Sequence, residues 1–168
     1  SIRSDVLILG AGPAGLTCAL FAARRGRSAT VLEADGTTAR KLRASGGGRC
    51  NCTNRHAGPA HYLSTNPKFT AQALGRFSPA DLLALLGELG LSATEEAHGR
   101  YFCDQGATAL AEALERACRQ AGVRFLLKTP VTDLAPTVFE GAPGFRVETA
   151  AGPIVAPKVV LALGSPAW

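Results

Sequence analysis

The chain has no methionine, one tryptophan and two tyrosines among its 168 residues. Aromatic residues make up 6% of it, and they do not interleave with the basic residues as a base-stacking nucleic-acid surface requires. No apolar run approaches the roughly twenty residues of a membrane-spanning helix. The first apolar run begins at Val6, which leaves no room for a secretory leader, and Ser1 in the first position reads as a trimmed start. The five cysteines, Cys18, Cys50, Cys52, Cys103 and Cys118, are odd in number and irregularly spaced. That spacing excludes a disulfide framework and points to reduced thiols in the cytoplasm. Cys50-x-Cys52 has no second Cys or His pair at zinc-finger spacing and lacks the Cys-x-x-Cys form of a redox dithiol, so ordinary thiols are expected there. Cys18 and Cys118 fall in expected helices and read as buried small hydrophobes.

What is present is mostly aliphatic. Hydrophobic residues reach 46% and charged residues only 18%, the balance of an α/β domain large enough to bury a core. Formal net charge is +5. One basic cluster, Arg24, Arg25 and Arg27, ends an expected helix, where cations complement the helix dipole. The other runs from Arg40 to Arg55. The three histidines, His56, His61 and His98, have no Ser or Cys partner at triad-like placement and read as surface residues.

The strongest pattern lies in the first thirty-three residues. An apolar run, Val6 to Leu9, ends in Gly10-x-Gly12-x-x-Gly15 with Pro13 and Ala14 between, then a small-residue helix to Arg25, then Ala29 to Glu33. Gly10 permits the tight turn, Gly12 lets a pyrophosphate approach the backbone, and Gly15 lets the helix pack closely on the sheet. The first-turn N–H groups and the positive end of the helix dipole face the phosphates. Ala19 sits where the helix passes the sheet, and Gly26 where it stops. Glu33, followed by Ala34, closes the second strand at the distance of a ribose-binding acid. A carboxylate there suits a free 2′-hydroxyl and disfavours a 2′-phosphate, leaving NAD and FAD.

The segment from Arg40 and Lys41 through Ser45, Gly46, Gly47, Gly48, Arg49, Cys50 and Asn51 to Thr53 and Asn54 reads as too glycine-rich and basic for a helix or a central strand. On composition alone it is a solvated loop. Its three glycines also allow backbone to lie against a flat or anionic ligand, with successive N–H groups forming an anion nest.

Together, the Gly-Ala-Gly-Pro-Ala-Gly-Leu turn, Glu33, Arg40-Lys41 and the Ser45-Gly-Gly-Gly-Arg-Cys-Asn51 string with Thr53-Asn54 resemble the BaiN/RdsA-type FAD-dependent oxidoreductases, of the wider glutathione-reductase-like class. Phe77-Ser-Pro-Ala-Asp-Leu, Leu89-Gly-Leu and Gly99-Arg-Tyr-Phe102 resemble the middle of that family. The chain departs from the family pattern at Cys52, outside the matching motif residues, at Cys103 where members usually carry proline, and at Leu163 and Ser165 in the returning Ala162–Gly164 segment. The resemblance implies non-covalent FAD as cofactor, with NAD(P)H as a possible reductant. It places the Arg40 to Asn54 loop beside the FAD, the Val131 backbone near the adenine, and Ala162 and Gly164 near the cofactor again. It also implies that the substrate domain and the C-terminal segment closing over the flavin are absent from residues 1–168.

The expected fold is α/β: a Rossmann-like FAD/NAD(P)-binding domain with a central parallel sheet flanked by helices and a small antiparallel meander. Strands are expected at Val6–Leu9, Ala29–Glu33, Val123–Lys128 and Val159–Leu163, with helices at Ala14–Arg25, Phe69–Leu74, Ser78 to near Gly90 and Ala107–Gln120. Phe145–Thr149 and Ile154–Ala156 form the meander, with Gly141–Gly144 as a turn. The expected function is the cofactor-binding part of a flavin-dependent oxidoreductase acting on a small molecule, with no nucleic-acid or membrane partner. Oligomeric state and catalytic residues are left open. The alternatives are an NAD-binding dehydrogenase domain, a flavin-dependent tRNA-modifying relative, and a fragment that folds without cofactor.

Overall fold

The computed structural model describes residues 3–165. In chain order the strands are β1 Val6–Leu9, β2 Ala29–Leu32, β3 Asn51–Asn54, β4 Ala93–Glu96, β5 Arg100–Cys103, β6 Arg124–Leu126, β7 Val131–Phe139, β8 Ala142–Thr149, β9 Ile154–Ala156 and β10 Val159–Leu161. The helices are α1 Pro13–Arg24, α2 Arg40–Ala44, α3 Pro67–Arg76, α4 Pro79–Glu88 and α5 Gly106–Gln120. They divide into two compact units, one running up to Leu42 and resuming at Leu114, the other Arg43–Ala113.

The first unit is built on an all-parallel sheet in the order β10-β1-β2-β6. Short apolar runs of Val, Ile and Leu with no polar alternation suit strands covered on both faces. Leu7, Leu9 and Leu32 pack with Val147, Ile154 and Ala156, with Val131, Leu134 and Val159 at the margin. This buries one sheet face under the antiparallel meander β7-β8-β9. Leu7 and Leu9 lie on the meander side, so Ile8, also fully buried, points to the other. There α1 presents Gly15, Leu16, Ala19 and Leu20. The Cys118 thiol of α5 donates to the Leu16 carbonyl at 3.2 Å. Truncating a fully buried leucine such as Leu7 or Leu16 costs about 2–5 kcal/mol, so these positions carry the layer packing.

The second unit holds the antiparallel sheet β3-β5-β4 with α3, α4 and the start of α5. α4 begins at a capping box: the Ser78 hydroxyl accepts from the Asp81 N–H, and the Asp81 carboxylate accepts from the Ser78 N–H at 2.7 Å. Pro79 in the first turn presets its φ.

Several expectations need correction. Arg40–Ala44 is a helix, because arginine, lysine, leucine and alanine are all good helix formers and only the glycines after them oppose one. The meander gains a long first strand, β7. Ala142–Gly144 belongs to β8 and pairs with Thr137–Phe139, so the turn is Glu140–Gly141. Cys18 is only half-buried, since its side of α1 faces away from the most buried stripe.

Candidate functional site

At the end of β1 the chain turns through Gly10, whose N–H donates to the Leu32 carbonyl at 2.8 Å. A Cβ on Gly10 would stand 2.4 Å from the Ala162 oxygen, and one on Gly15 would stand 1.9 Å from the Gly10 oxygen. Backbone thus touches backbone at both glycines. Gly12 differs: nothing lies within 4 Å of where its Cβ would point. The turn is tightly packed at two of its glycines and open at the third, which is the fit a pyrophosphate needs. Gly12 is also the N-cap of α1, with no side-chain cap and Pro13 next. The N–H groups of the first turn, Ala14 and Gly15 among them, have no partner within the helix. Pro13 and Ala14 are exposed.

Glu33 follows β2. Its Oε2 accepts the Ala11 N–H at 2.8 Å and its Oε1 accepts the Asp35 N–H at 3.0 Å. The carboxylate is fixed between the glycine turn and its own strand end, and each oxygen keeps acceptor capacity for a hydroxyl. Ala34 is exposed beside it.

Lys41 meets the far end of the unit. Its ammonium donates to the Ser165 carbonyl and lies 4.0 Å from the Cβ position of Gly164. Ala162 is tied to β1 by its N–H to the Leu9 carbonyl at 2.8 Å. The first unit therefore brings together Gly10, Gly12, Gly15, Glu33, Lys41, Ala162 and Gly164. Arg40 pairs instead with Asp35 at 3.3 Å. Val131 opens β7 with its side chain against the core, which leaves its backbone as the part able to meet a ligand.

The second unit holds Ser45 to Asn51. Gly46, Gly47 and Gly48 all have positive φ, at 57°, 66° and 91°, a run of left-handed backbone that glycine adopts without Cβ strain. Nothing lies within 4 Å of the Cβ positions of Gly47 and Gly48. The loop closes through the Cys50 N–H to the Ser45 carbonyl at 3.0 Å. Arg49 stacks over the Phe102 ring, 4.3 Å from its centroid, and pairs with Glu96. Asn51 is exposed at the start of β3.

Tertiary contacts absent from the sequence pattern also shape the molecule. Arg43 pairs with Glu112 at 3.8 Å and Arg55 pairs with Glu95, so the second basic cluster is largely matched by acids. The Thr38 hydroxyl donates to Glu115 at 2.6 Å. His56, His61 and His98 are exposed, and they line one open cleft of about 410 Å³ with Asn54 and Tyr62. Among the described residues no three His, Cys, Asp or Glu side chains are placed to hold a metal ion. No helix there is long and apolar enough to cross a membrane.

The comparisons agree with this arrangement. The ribosomal RNA dihydrouridine synthase of Haemophilus influenzae is 42% identical over 131 residues, 78% of this chain and 33% of that protein. The 3-dehydro-bile acid delta(4,6)-reductase of Clostridium scindens is 32% identical, over 95% of this chain and 39% of that protein. The chain thus spans a third to two fifths of the length of these relatives. Among solved structures, THI4 of Thermovibrio ammonificans superposes with a TM-score of 0.66 at 18% identity, covering 96% of this chain and 58% of that one; that likeness shows the fold. The model of the HI0933-like protein Rossmann domain matches residues 4–168, and the chain belongs to that family as its FAD-binding Rossmann domain.

Proposed function

We propose that this chain is the FAD-holding part of a cytoplasmic flavin-dependent reductase that saturates a carbon–carbon double bond conjugated to a carbonyl. The open position at Gly12, flanked by the packed contacts of Gly10 and Gly15, carries the cofactor side of this reading. Bound FAD supplies two-electron chemistry, taken from a nicotinamide reductant and passed on as hydride. The chain's own residues bind and orient. The turn from Gly10 to Gly15 presents N–H groups to the pyrophosphate, and Glu33 accepts from the adenosine ribose. Lys41 and Gly164 border the cofactor where β10 returns, and the Val131 backbone borders the adenine. In the second unit, the Ser45 to Asn51 segment, with Gly47 and Gly48 open on one side, has the backbone to meet a flat or anionic ligand, with Arg49 and Cys50 in the same segment.

The double-bond chemistry is supported by the names of the relatives. A dihydrouridine synthase and a delta(4,6)-reductase both describe addition of hydrogen across such a bond. Pairing of Arg40, Arg43, Arg49 and Arg55 with acids supports a small-molecule substrate over a polynucleotide. Free cysteines throughout support a cytoplasmic location.

Absorption spectroscopy of the full-length protein tests the reading. Flavin bands that NAD(P)H bleaches without oxygen, and that a conjugated enone restores, are expected. Restoration by uridine-containing RNA and not by an enone would move the substrate to nucleic acid. A colourless protein after addition of FAD would overturn the cofactor assignment.

A further inference from the structure

The peptide joining Ala11 to Gly12 lies at the middle of the glycine turn, and it is held from outside the motif. The Ala39 N–H donates to the Ala11 carbonyl at 2.8 Å, while the Ala11 N–H donates to Glu33 at 2.8 Å. A peptide is planar and trans, so its C=O and its N–H point in opposite directions. With the Ala11 carbonyl turned towards Ala39, the Gly12 N–H of the same peptide points away from it. Ala39 makes this bond from an unfavourable backbone: its φ is +56° and it is buried. A non-glycine residue stays left-handed only where its surroundings over-determine it. The residue before it supplies that constraint. Thr38 is buried, and its hydroxyl donates to Oε2 of Glu115 on α5 at 2.6 Å. The other Glu115 oxygen accepts from Arg119 Nε at 2.8 Å, and the Arg119 guanidinium lies over the Phe125 ring of β6, 4.5 Å from its centroid. The carboxylate that Thr38 meets is therefore itself fixed, and a hydroxyl bonded to a charged acceptor is held more strongly than one bonded to a neutral group.

We propose that Thr38 and Glu115 are positioning residues for the cofactor pyrophosphate, acting through the backbone of Ala39. Their hydrogen bond keeps Ala39 left-handed, the Ala39 N–H keeps the Ala11 carbonyl in place, and the rigid peptide plane keeps the Gly12 N–H aimed before any ligand arrives. A donor set in advance needs no ordering when the anion binds. Without the Thr38 hydroxyl, Ala39 relaxes to negative φ, its N–H leaves the Ala11 carbonyl, and the Gly12 peptide turns. The packed contacts of Gly10 and Gly15 shape the turn and Gly12 leaves it open, but the direction of the donor is set by a side chain of α5. The inference rests on the proposed placement of the pyrophosphate at this turn.

The full-length protein, stripped of flavin, is titrated with FAD, and its melting is followed alongside. Thr38→Val keeps the shape and removes the hydroxyl; it is expected to bind FAD about tenfold more weakly, while Thr38→Ser binds within about twofold of the parent. A purely structural role would lower melting and leave the affinity of the folded protein unchanged. It would also have no remedy at Ala39, whereas glycine adopts left-handed backbone without being held there. Ala39→Gly in the Thr38→Val protein is therefore expected to bring FAD affinity back to within about threefold of the parent. Glu115→Ala, at a half-buried position of α5, gives the same test should Thr38→Val not fold, with the same loss and the same rescue. Unchanged FAD affinity in either folded variant, or a loss that Ala39→Gly does not reverse, would overturn the inference. Gly12→Ala separates it from the reading beneath it. Weakened binding there beside parent-like binding in Thr38→Val discards the positioning role alone, whereas unchanged binding in both discards the pyrophosphate placement and the inference with it.

Discussion

The Cβ position of Gly15 lies 1.9 Å from the carbonyl oxygen of Gly10, so the entry of α1 rests directly on the turn that leaves β1. That contact separates two glycines that a motif treats alike. Gly15→Ala forces backbone apart and is expected to cost about 3 kcal/mol or more, lowering the melting temperature by roughly 10 °C. Gly12→Ala, at φ −73° and with open space around it, is expected to melt like the parent and to bind FAD about tenfold more weakly, roughly 1.4 kcal/mol. Calorimetric melting and flavin titration of both variants check the pair; equal melting losses would mean that the two glycines play one structural part.

Glu33 joins two structural demands in one side chain. Its carboxylate accepts from Ala11 and Asp35, and hydrogen bonds to a charged group are worth about 1.5–3 kcal/mol each when partners cannot turn to water. Glu33 is half-buried, so the lower end applies. Glu33→Ala is expected to lose about 1.5 kcal/mol of stability and, separately, at least tenfold in FAD affinity. A variant that melts early but titrates with unchanged FAD affinity would confine Glu33 to the turn.

Much of the first unit was legible in the chain because its cues are local. Apolar runs bounded by Gly10 and Gly26 place β1, α1 and β2; in the second unit, Ser78-Pro79 places the start of α4 to the residue. β7 was not legible. It contains Pro136 and the polar residues Thr132, Asp133 and Thr137, and proline argues against a central strand. In the order β7-β8-β9 it is an edge strand, where proline's missing N–H costs no ladder bond. β3 and β4 are short and polar, β5 is only four residues long, and their mutual pairing makes them strands. Arg40–Ala44 hides its helix because the glycines that follow it dominate the composition of the segment, while its own residues are good helix formers. The cofactor turn could be found from spacing, whereas the meeting of Lys41 with Ser165 and of Thr38 with Glu115 exists only in three dimensions.

Three aspartates make the acid limb of stability predictable. Hydrogen bonds from the Ser28 backbone and hydroxyl lower Asp5, those from the Ser78 hydroxyl and backbone lower Asp81, and those from the Ser92 and Thr94 side chains lower Asp104, all below the usual carboxylate range. A carboxyl lowered in the folded state contributes stability that is present above the unfolded value, near 3.9, and is lost as pH falls through the folded one. Melting temperature is expected to hold steady above about pH 5 and to fall below about pH 4. Asp81→Asn is expected to make that fall shallower, and an unchanged acid limb would remove the α4 capping box from the list of causes.

Cys118 is fully buried, its thiol donates to the Leu16 carbonyl at 3.2 Å, and burial pushes it up to about 11. At pH 8 only about one molecule in a thousand would hold the thiolate that alkylating reagents attack. Iodoacetamide on the native protein is expected to leave Cys118 unmodified and to label it only after unfolding. Labelling of Cys118 under native conditions would report local opening between α1 and α5.

Gly47 offers the sharpest test of the loop, because space and conformation make different demands there. Its surroundings are open, but its φ of +66° turns any β-branched residue into an outlier; Gly47→Val would disturb the fold whether or not a ligand lies nearby. Asparagine tolerates left-handed backbone, so Gly47→Asn adds a side chain to the open side while keeping the turn. If that side faces the flavin, the variant is expected to melt within a few degrees of the parent and to bind FAD at least tenfold more weakly. Unchanged flavin affinity in a folded Gly47→Asn protein would assign the three glycines to the turn alone.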